Sequence, residues 1–588
     1  MNLKNEKYKN KSLLGSYWEI EEFEDRLVLS SSQKNNISPF LSKLLLSRNI
    51  EDNEVNNYLN PIIENQIPNP FLLKDMKNAV SRTIEALKKN EKIGIIADYD
   101  VDGSTSASIL FNFLNNFNNN IFIKTPNRLT EGYGPNLRLI DEMFEEKISM
   151  IFTLDCGTTS FDILDNPKYS SIDIIVIDHH LSEEKLPKVH SIINPNRYDE
   201  NNHFYDLAAV GVTFLFLMAL RKNLRLNNYF KKNNIEPNLL NFLDLVALGT
   251  VCDVVNLTNY NRVFVKNGLD IIKSRKNKAI SKMIDNANLI TTPTASDLGF
   301  VIGPQLNAAS RIEDSSLPSK LLTTKNDLEI ESISRKLLLL NKKRKLIEND
   351  IYEEALKQCE DQSDEKFILV YGNNWHNGVL GIIASKLLSK YYKPTLVISF
   401  NGSSGIGSAR SINNIDLGNI ILQAKNLDIL SGGGGHKMAA GFQVKKNKLN
   451  KFEIFLKDKL SKFSDVLFKK VEKFDSILKI NEINNDLLEN IDLMEPFGAG
   501  NQEPKFIIDD MVINSVKILK DKHLLIFFSN DFSLNLKGIC FNCIGTILGD
   551  YLLNFKKHKF AISCNVKKDN FSDKIKPQII IKDIMIID

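Results

Sequence analysis

The stretch KIGIIADYDVDGSTSASIL, residues 92–110, governs the reading of the fold. IGIIAD (93–98) is a short β-branched run that closes on an acid, and small residues of helix length follow. MIFTLD (150–155) and DIIVID (173–178) repeat the pattern. Apolar runs that end in an acid, separated by helix-length text, predict βαβ units around a parallel sheet buried on both faces. In an open parallel sheet, functional groups collect beyond the carboxyl ends of the strands. Those ends bring Asp98, Asp100 and Asp102 (DYDVDG), Asp155 (DCG), and Asp178, His179 and His180 (DHH). A further acid, Asp253 in GTVCDVV, follows the apolar helix-like run FLDLVALG.

Carboxylates gathered at one place repel each other, and burial raises their pKa values. A divalent cation relieves both effects. Carboxylates mixed with imidazole suit Mg2+ or Mn2+ better than a thiolate-seeking metal. A central acid can bridge two ions that clamp the attacking and leaving oxygens of a phosphoryl displacement. Taken singly, each piece is ordinary. A DxD at a strand end is often a turn or helix cap, a histidine pair is often core, and Asp253 alone reads as a cap. Their order on one scaffold carries the chemistry.

The chain has 588 residues and a mass of 66.8 kDa, too much for a single core. Residues 1–60 read as a polar lead-in with short helices, and 61–320 as the α/β domain holding the acids. Residues 321–362 form a connector, with unbroken charged and Leu-rich helical text from Leu328 to Leu356. Residues 363–465 make a smaller α/β domain (KFILVYG, GVLGIIASKLLSKYY, TLVISF). Residues 466–588 alternate apolar and polar text (FIIDDMVINSVKIL, HLLIFFS, KFAISCNV, QIIIKDIMII), as in an antiparallel barrel or sandwich. No internal repeat is visible.

Composition narrows the function classes. With 43% hydrophobic and 25% charged residues, the chain is neither mainly disordered nor collagenous. A net charge of +3 makes no case for nucleic acid by itself, although a near-zero sum hides local segregation. The apolar run Leu207–Leu220 is too short to span a membrane and reads as a buried helix. MNLKNEKYKNKSLL has no apolar stretch of the secretory kind, and six cysteines make no disulfide framework. The expectation is a cytoplasmic protein without membrane contact. Asn, Lys and Ile are used heavily, as in NFLNNFNNNIFIK (112–124), which reflects drift in composition. An arginine kept in such a chain is therefore more informative than a lysine.

DYDVDG, DCG, DHH and GTVCDVV, in that order, resemble the four motifs of the DHH phosphoesterase superfamily. The likeness continues in GPQLNAASRI (303–312), NNWHNGVLGIIAS (373–385), GSARS (407–411) and SGGGGHKMAAG (431–441), the last three resembling the DHH-associated domain. MEPFGAGNQEPKF (494–506) resembles the lead into the OB-fold of the bacterial single-strand-specific 5′→3′ exonucleases of this superfamily. The likeness spans roughly residues 60 to 588. It implies a parallel-sheet DHH domain, a connector helix, a DHH-associated domain and a C-terminal OB-fold. It also implies two divalent ions, Mg2+ or Mn2+, held by Asp100, Asp102, Asp155, His179 and Asp253. Asp155 would be the bridge, and Asp98 a ligand or a group that orients one.

By the same resemblance, His180 faces the scissile phosphate, Asp178 orients an imidazole, and Arg311 forks onto a phosphate oxygen. Asn307, Ser408, Arg410, Gly433, Gly434 and His436 contact the substrate, with Arg128 and Tyr133 along the entering strand. The implied substrate is single-stranded DNA, with a single-stranded-DNA-binding protein and a helicase as partners and the enzyme a monomer. Departures stand at Ser310, where the family has Gly, at Gln305, where it has a basic residue, and at Ile96, where a His often opens the first motif. The first two loosen the phosphate grip. The third leaves one metal short of a ligand, which Asp98 can supply.

Some features admit two readings. Gly432–Gly435 is a flexible loop or a backbone cradle for phosphate, but no P-loop, because no GK[ST] follows. Tyr133 is core filler or a stacking surface. Cys540-x-x-Cys543, with only Cys564 beyond it, is a poor zinc or redox motif, and Cys156 and Cys252 fill space. In the tail, Lys556, Lys557, Lys559, Lys567 and Lys568 accompany Phe527, Phe528, Phe555 and Phe560, a pattern suited to sequence-blind strand binding. Competing functions are a phosphodiesterase of dinucleotides or short oligoribonucleotides, a pyrophosphatase, and a non-catalytic single-strand-binding module. The long tail opposes the first, the connector and tail oppose the second, and the intact acids and histidines oppose the third.

Overall fold

Each of the three acid-ended runs is a strand of one parallel sheet. The computed structural model describes residues 8, 10–201, 203–231, 235–362, 364–529, 536–569 and 576–587. The chain falls into two units: Pro61–Lys462 with Gly498–Gly500, and Met1–Asn60 with Phe463–Phe497 and Asn501–Asp588.

In the first unit, β1 (Ile93–Ala97), β2 (Ile121–Lys124), β3 (Met150–Leu154), β4 (Asp173–Ile177) and β5 (Ser191–Ile193) are ordered β2-β1-β3-β4-β5. All four pairings are parallel. β1 and β3 are buried along their whole length, because successive residues feed different cores. Ile95, Phe152 and Ile175 pack with helices α1 (Val101–Leu114), α2 (Ala209–Leu226) and α3 (Leu243–Cys252). Ile96, Ile151 and Val176 pack on the opposite face with Leu139, Ile140 and Met143. Two apolar faces explain why these strands read as continuous rather than alternating text. The order of strand addition reverses between β1 and β3, the parallel neighbours that end in Asp98 and Asp155. Ligands bind at such a switch point.

Helix α4 (Gly303–Ile312) follows, then the connector α5, which runs Asp327–Cys359, longer at its C-terminal end than the sequence text indicated. The smaller domain carries β6 (Ile368–Asn373), helix α6 (Leu380–Tyr391), β7 (Thr395–Asn401), β8 (Ser404–Arg410), β9 (Gly432–His436) and β10 (Ala439–Lys445). Its sheet order is β9-β10-β8-β7-β6, with only the β6–β7 pair parallel. The glycine run is thus an edge strand, which corrects the loop reading. Glycine-rich text carries little strand signal, and here pairing with β10 imposes the extended backbone.

The second unit holds a seven-stranded sheet over Ser476–Ile586. It is mixed rather than wholly antiparallel, since Leu536–Cys540 and Pro577–Ile586 pair in parallel, as do Ser476–Ile477 and Phe506–Ile508. The described part of residues 1–60, read from sequence as a separate lead-in, shares this core. Strand Tyr17–Ile20 pairs with Val471–Phe474, and Trp18 packs on Phe474 at 5.1 Å between ring centroids. Helix Pro39–Leu46 sends Leu41, Leu44 and Leu45 into the cluster of Phe506, Ile562 and Ile581. Its apolar face is too small for a core of its own, so its partner lies far along the chain. Among the described residues, no helix is long and apolar enough to cross a membrane.

Candidate active site

The acidic motifs fold as they do because of close approach. Asp100 caps α1, its carboxylate accepting from the Gly103 N–H at 3.0 Å. A Cβ at Gly103 would lie 2.4 Å from the carbonyl oxygen of Asp98, so only glycine lets the first helical turn sit on the end of β1. Beyond β3, Asp155 has φ +59°, a left-handed backbone that Asp tolerates better than most residues. Gly157 follows at φ +114°, where a Cβ would meet Thr153 Oγ1 at 2.7 Å. Asp253 ends α3, and Val254 after it holds φ +62°, strained for a β-branched side chain.

These turns bring the acids together. Three overlapping groups, Asp98/Asp100/Asp155, Asp102/His179/Asp253 and Asp155/His179/His180, each place their ligand atoms within 4.8 Å of one another. His179 Nε2 lies 3.3 Å from Asp155, 3.6 Å from Asp253 and 3.9 Å from Asp102. Burial, then the surrounding acids, raises Asp98, Asp155 and Asp253 well above the carboxylate range. Asp102 is pushed up to about 7, by burial and then by Asp100. Burial drops His179 to about 4, leaving a neutral ring. A neutral imidazole among desolvated carboxylates is the donor set a hard divalent cation takes. Asp155 Oδ1 and His179 Nε2 are both buried without a hydrogen-bond partner, as two atoms reserved for such an ion would be.

Asp102 has a second task. Its carboxylate accepts from the N–H groups of Ala209 (2.6 Å) and Val210 (2.8 Å), and so caps α2, whose own N-cap side chain makes no bond.

His180 stands apart, half exposed, with Nδ1 2.8 Å from Asp178 Oδ1. Burial works against the charged ring, but the Asp178 hydrogen bond and charge outweigh it and push His180 up to about 9. Burial likewise opposes the charge on Asp178, yet the His180 bond and both imidazoles hold that carboxyl below its ordinary range. Asp178 also accepts from the Thr158 N–H at 3.1 Å.

Cationic groups gather on the side of the smaller domain. Arg311 donates to the Gly378 carbonyl at 2.9 Å. Burial, then Arg128, Arg344 and Arg410, pushes it down to about 9, so several guanidinium groups share one positive pocket. Arg128 stacks on Tyr99 at 4.7 Å. Arg410 and Ser408 lie two apart on β8. Across the sheet, Arg410, Ala439 and His436 form one row and Ser408, Gly441 and Gly434 the next, while Gly433 pairs with Phe442. Neither Gly434 nor Gly441 has an atom within 4 Å of where a Cβ would stand, so that floor is bare backbone. Asn307 keeps a buried Oδ1 without a partner.

The departures have plain settings. Ile96 is a core residue. Gln305 is buried and donates to the Val301 carbonyl at 3.0 Å, and Ser310 Oγ turns to its own helix at Asn307. Cys156 is buried, and Cys252 Sγ would sit 2.3 Å from a Cβ on Gly303. Cys540, Cys543 and Cys564 are buried in the second unit, and none joins a metal-holding group among the described residues. In the tail, Phe528 and Phe560 are core and Phe555 packs against it. Lys567 and Lys568 pair with Glu503 and Asp492. Phe527 and Phe555 both stay partly open, and Lys517 lies 5.5 Å over the Phe527 ring.

Sequence reading missed Asn194 and Asn196, which donate to the carbonyls of His180 (2.8 Å) and His179. They follow β5, and the strand-end rule applied to SIINPN would have found them.

Comparison with known proteins agrees with this geometry. The family described as "DHH family, N-terminal domain" matches residues 92–250, the "DHHA1 domain" 364–462 and the "RecJ OB domain" 474–583. The chain is 31% identical over 550 residues to the single-stranded-DNA-specific exonuclease RecJ of Haemophilus influenzae, covering 91% of this chain and 94% of that one. With the RecJ of Escherichia coli it shares 34% over 432 residues, 71% and 74% of the two chains. This chain belongs to the RecJ family. The crystal structure of RecJ with Mn2+ from Thermus thermophilus shares its fold, with a TM-score of 0.81 at 23% identity over 97% of this chain and 80% of that one. A crystal structure of exonuclease RecJ bound to manganese aligns with a TM-score of 0.57 at 28% identity, covering 68% of this chain and 96% of that one. The RecJ layout of DHH, DHH-associated and OB domains is thus present here in order.

Proposed function

We propose that the chain is a metal-dependent exonuclease that degrades single-stranded DNA from the 5′ end to 5′-mononucleotides, in DNA repair and recombination. The observation that carries this reading is the pair of unpartnered atoms, Asp155 Oδ1 and His179 Nε2, within a ring of buried carboxylates. Asp98, Asp100, Asp102, Asp155, His179 and Asp253 would hold two ions, Mg2+ or Mn2+, which supply charge neutralisation and an activated water.

The chain's own residues do the rest. His180, held through Nδ1 by Asp178, offers its Nε2 proton to a non-bridging oxygen as charge grows there. Arg311 offers its fork to the same phosphate. Water adds to phosphorus, the bond to the 3′ oxygen breaks, and that oxygen leaves with a proton. Arg128, Asn307, Ser408, Arg410, His436 and the backbone at Gly433 and Gly434 position phosphates near the 5′ end. Shared sequence with relatives named single-stranded-DNA-specific exonucleases supports the substrate, and the resemblance of the motifs supports the polarity. On this reading the enzyme is a cytoplasmic monomer working with a single-stranded-DNA-binding protein and a helicase.

Digestion of 5′- and 3′-labelled single strands with Mg2+, Mn2+ or chelator tests the proposal. The 5′ label should appear first as a mononucleotide, and only with metal. Early release of the 3′ label, or equal attack on duplex, overturns it.

A further inference from the structure

The loop between β2 and helix Leu137–Glu145 carries a tyrosine whose hydroxyl touches two of the three strand ends that build the site. Tyr133 Oη lies 2.8 Å from the Asp155 carbonyl oxygen and 3.0 Å from His180 Nδ1, with its ring edge-on to the imidazole at 5.3 Å between centroids. The loop itself is anchored. Glu131 accepts from the Asn127 N–H at 2.7 Å and from the Arg138 guanidinium, and Gly134 donates its N–H to Asp98 Oδ1 at 3.3 Å. One loop therefore reaches the ends of β1, β3 and β4.

Proton counting orients every bond at the hydroxyl. Asp178 Oδ1 accepts from the backbone N–H groups of His179 (2.7 Å) and His180 (3.2 Å), so it acts as an acceptor and its 2.8 Å contact to the His180 ring takes a proton on Nδ1. Tyr133 has one proton, and a protonated Nδ1 cannot receive it. The hydroxyl therefore donates to the Asp155 carbonyl, and its oxygen takes a share of the Nδ1–H. Asp178 alone would fix which nitrogen is protonated but would leave the ring free to swing about that single bond. The tyrosine oxygen is a second anchor, off the first.

We propose that Tyr133 is a positioning residue that acts through its hydroxyl, locking the His180 ring to the Asp155 strand end so that Nε2 faces the scissile phosphate. This rests on His180 as the phosphate donor proposed above. It differs from a stacking role, in which the ring of Tyr133 would matter and the hydroxyl would not.

Tyr133→Phe removes only the hydroxyl. Steady-state cleavage of a labelled oligonucleotide should show kcat lowered about 10–100-fold, the usual effect of losing a partner that orients a functional imidazole. KM, Mn2+ affinity by calorimetry without DNA, and Tm should stay at wild-type values. On a His180→Ala background, Tyr133→Phe should cost nothing further. Wild-type kcat in Tyr133→Phe overturns the proposal in favour of the ring. Loss of Mn2+ affinity or of Tm overturns it in favour of a role in supporting Asp155 or the fold, and an undiminished loss on the His180→Ala background overturns the link to His180. Failure of the underlying reading looks different, since His180→Ala itself would then be fully active.

Discussion

Nε2 of His179 lies 3.3 Å from Oδ1 of Asp155, and neither buried atom has a hydrogen-bond partner. A polar pair in this state is costly, because each group has lost water without replacement. Neighbouring acids are partnered: Asp102 caps a helix, Asp178 holds His180, and Gly134 serves Asp98. The unsatisfied pair therefore marks where a cation belongs.

Asp155→Asn should abolish cleavage. Asn tolerates the left-handed backbone at this position, so the fold should persist while the anionic ligand is lost. The loss should exceed about 100-fold, the upper end for an outer-shell partner, and calorimetry should show Mn2+ binding collapse. Single-strand binding should survive. Retention of a tenth of wild-type cleavage refutes Asp155 as a shared ligand.

The two histidines should separate. His180→Ala should lower the rate about 10²–10³-fold, as for loss of one transition-state donor, with metal affinity nearly unchanged. His179→Ala should weaken metal binding directly. Calorimetry giving the reverse order exchanges their roles.

Without metal, stability should fall as pH rises from about 4 to 9. Asp102 has a folded value of about 7, above its unfolded one, so the folded state binds more protons in between and loses stability as they leave. Asp98, Asp155 and Asp253 act in the same direction, and His179, pushed down to about 4, opposes them only up to its ordinary value of 6.5. The contribution of His180 is full below its unfolded value and is lost as pH rises through about 9. Asp178, held low, loses its contribution only in strong acid and stays flat across this window. Metal at a hundred times its Kd should add about 2.7 kcal/mol and level the slope. Tm from pH 5 to 9, with chelator and with Mg2+, checks this; a chelated protein that gains Tm toward pH 8 contradicts it.

In the tail, Phe527 and Phe528 should behave oppositely. Phe527→Ala should weaken binding to a long single strand by about 1–3 kcal/mol, as for one stacked base, with little change in stability. Phe528→Ala should cost about 3–5 kcal/mol of folding instead, since that ring is core. Lys517→Ala should flatten the salt dependence of binding by about 0.7 in slope. Urea melts and salt titrations on a homopolymer distinguish the three.

What was readable in the sequence was local. Strand runs ending in Asp98, Asp155 and Asp178 announce themselves because a strand buried on both faces must be continuously apolar and a turn must follow. The connector helix shows through its unbroken text. Contacts made at a distance were hidden. Nothing in EGYG says that the Tyr133 hydroxyl meets His180, and neighbouring Phe527 and Phe528 differ only by strand alternation. Truncation after Phe463 would strip the cover from Leu41, Leu44 and Leu45. A cleaner cut keeps Pro61–Lys462.

That shared core has a consequence for biosynthesis. Ser16 bonds Glu472, 456 positions later, and Trp18 waits for Phe474. At ribosomal speed the interval is roughly 20–90 s, during which the apolar face of the first sixty residues has no partner. Its closure is a contact of very high sequence separation, which slows folding. The newborn chain should therefore expose a sticky N-terminal segment long after the catalytic sheet could have formed, and that interval is where a chaperone would find it.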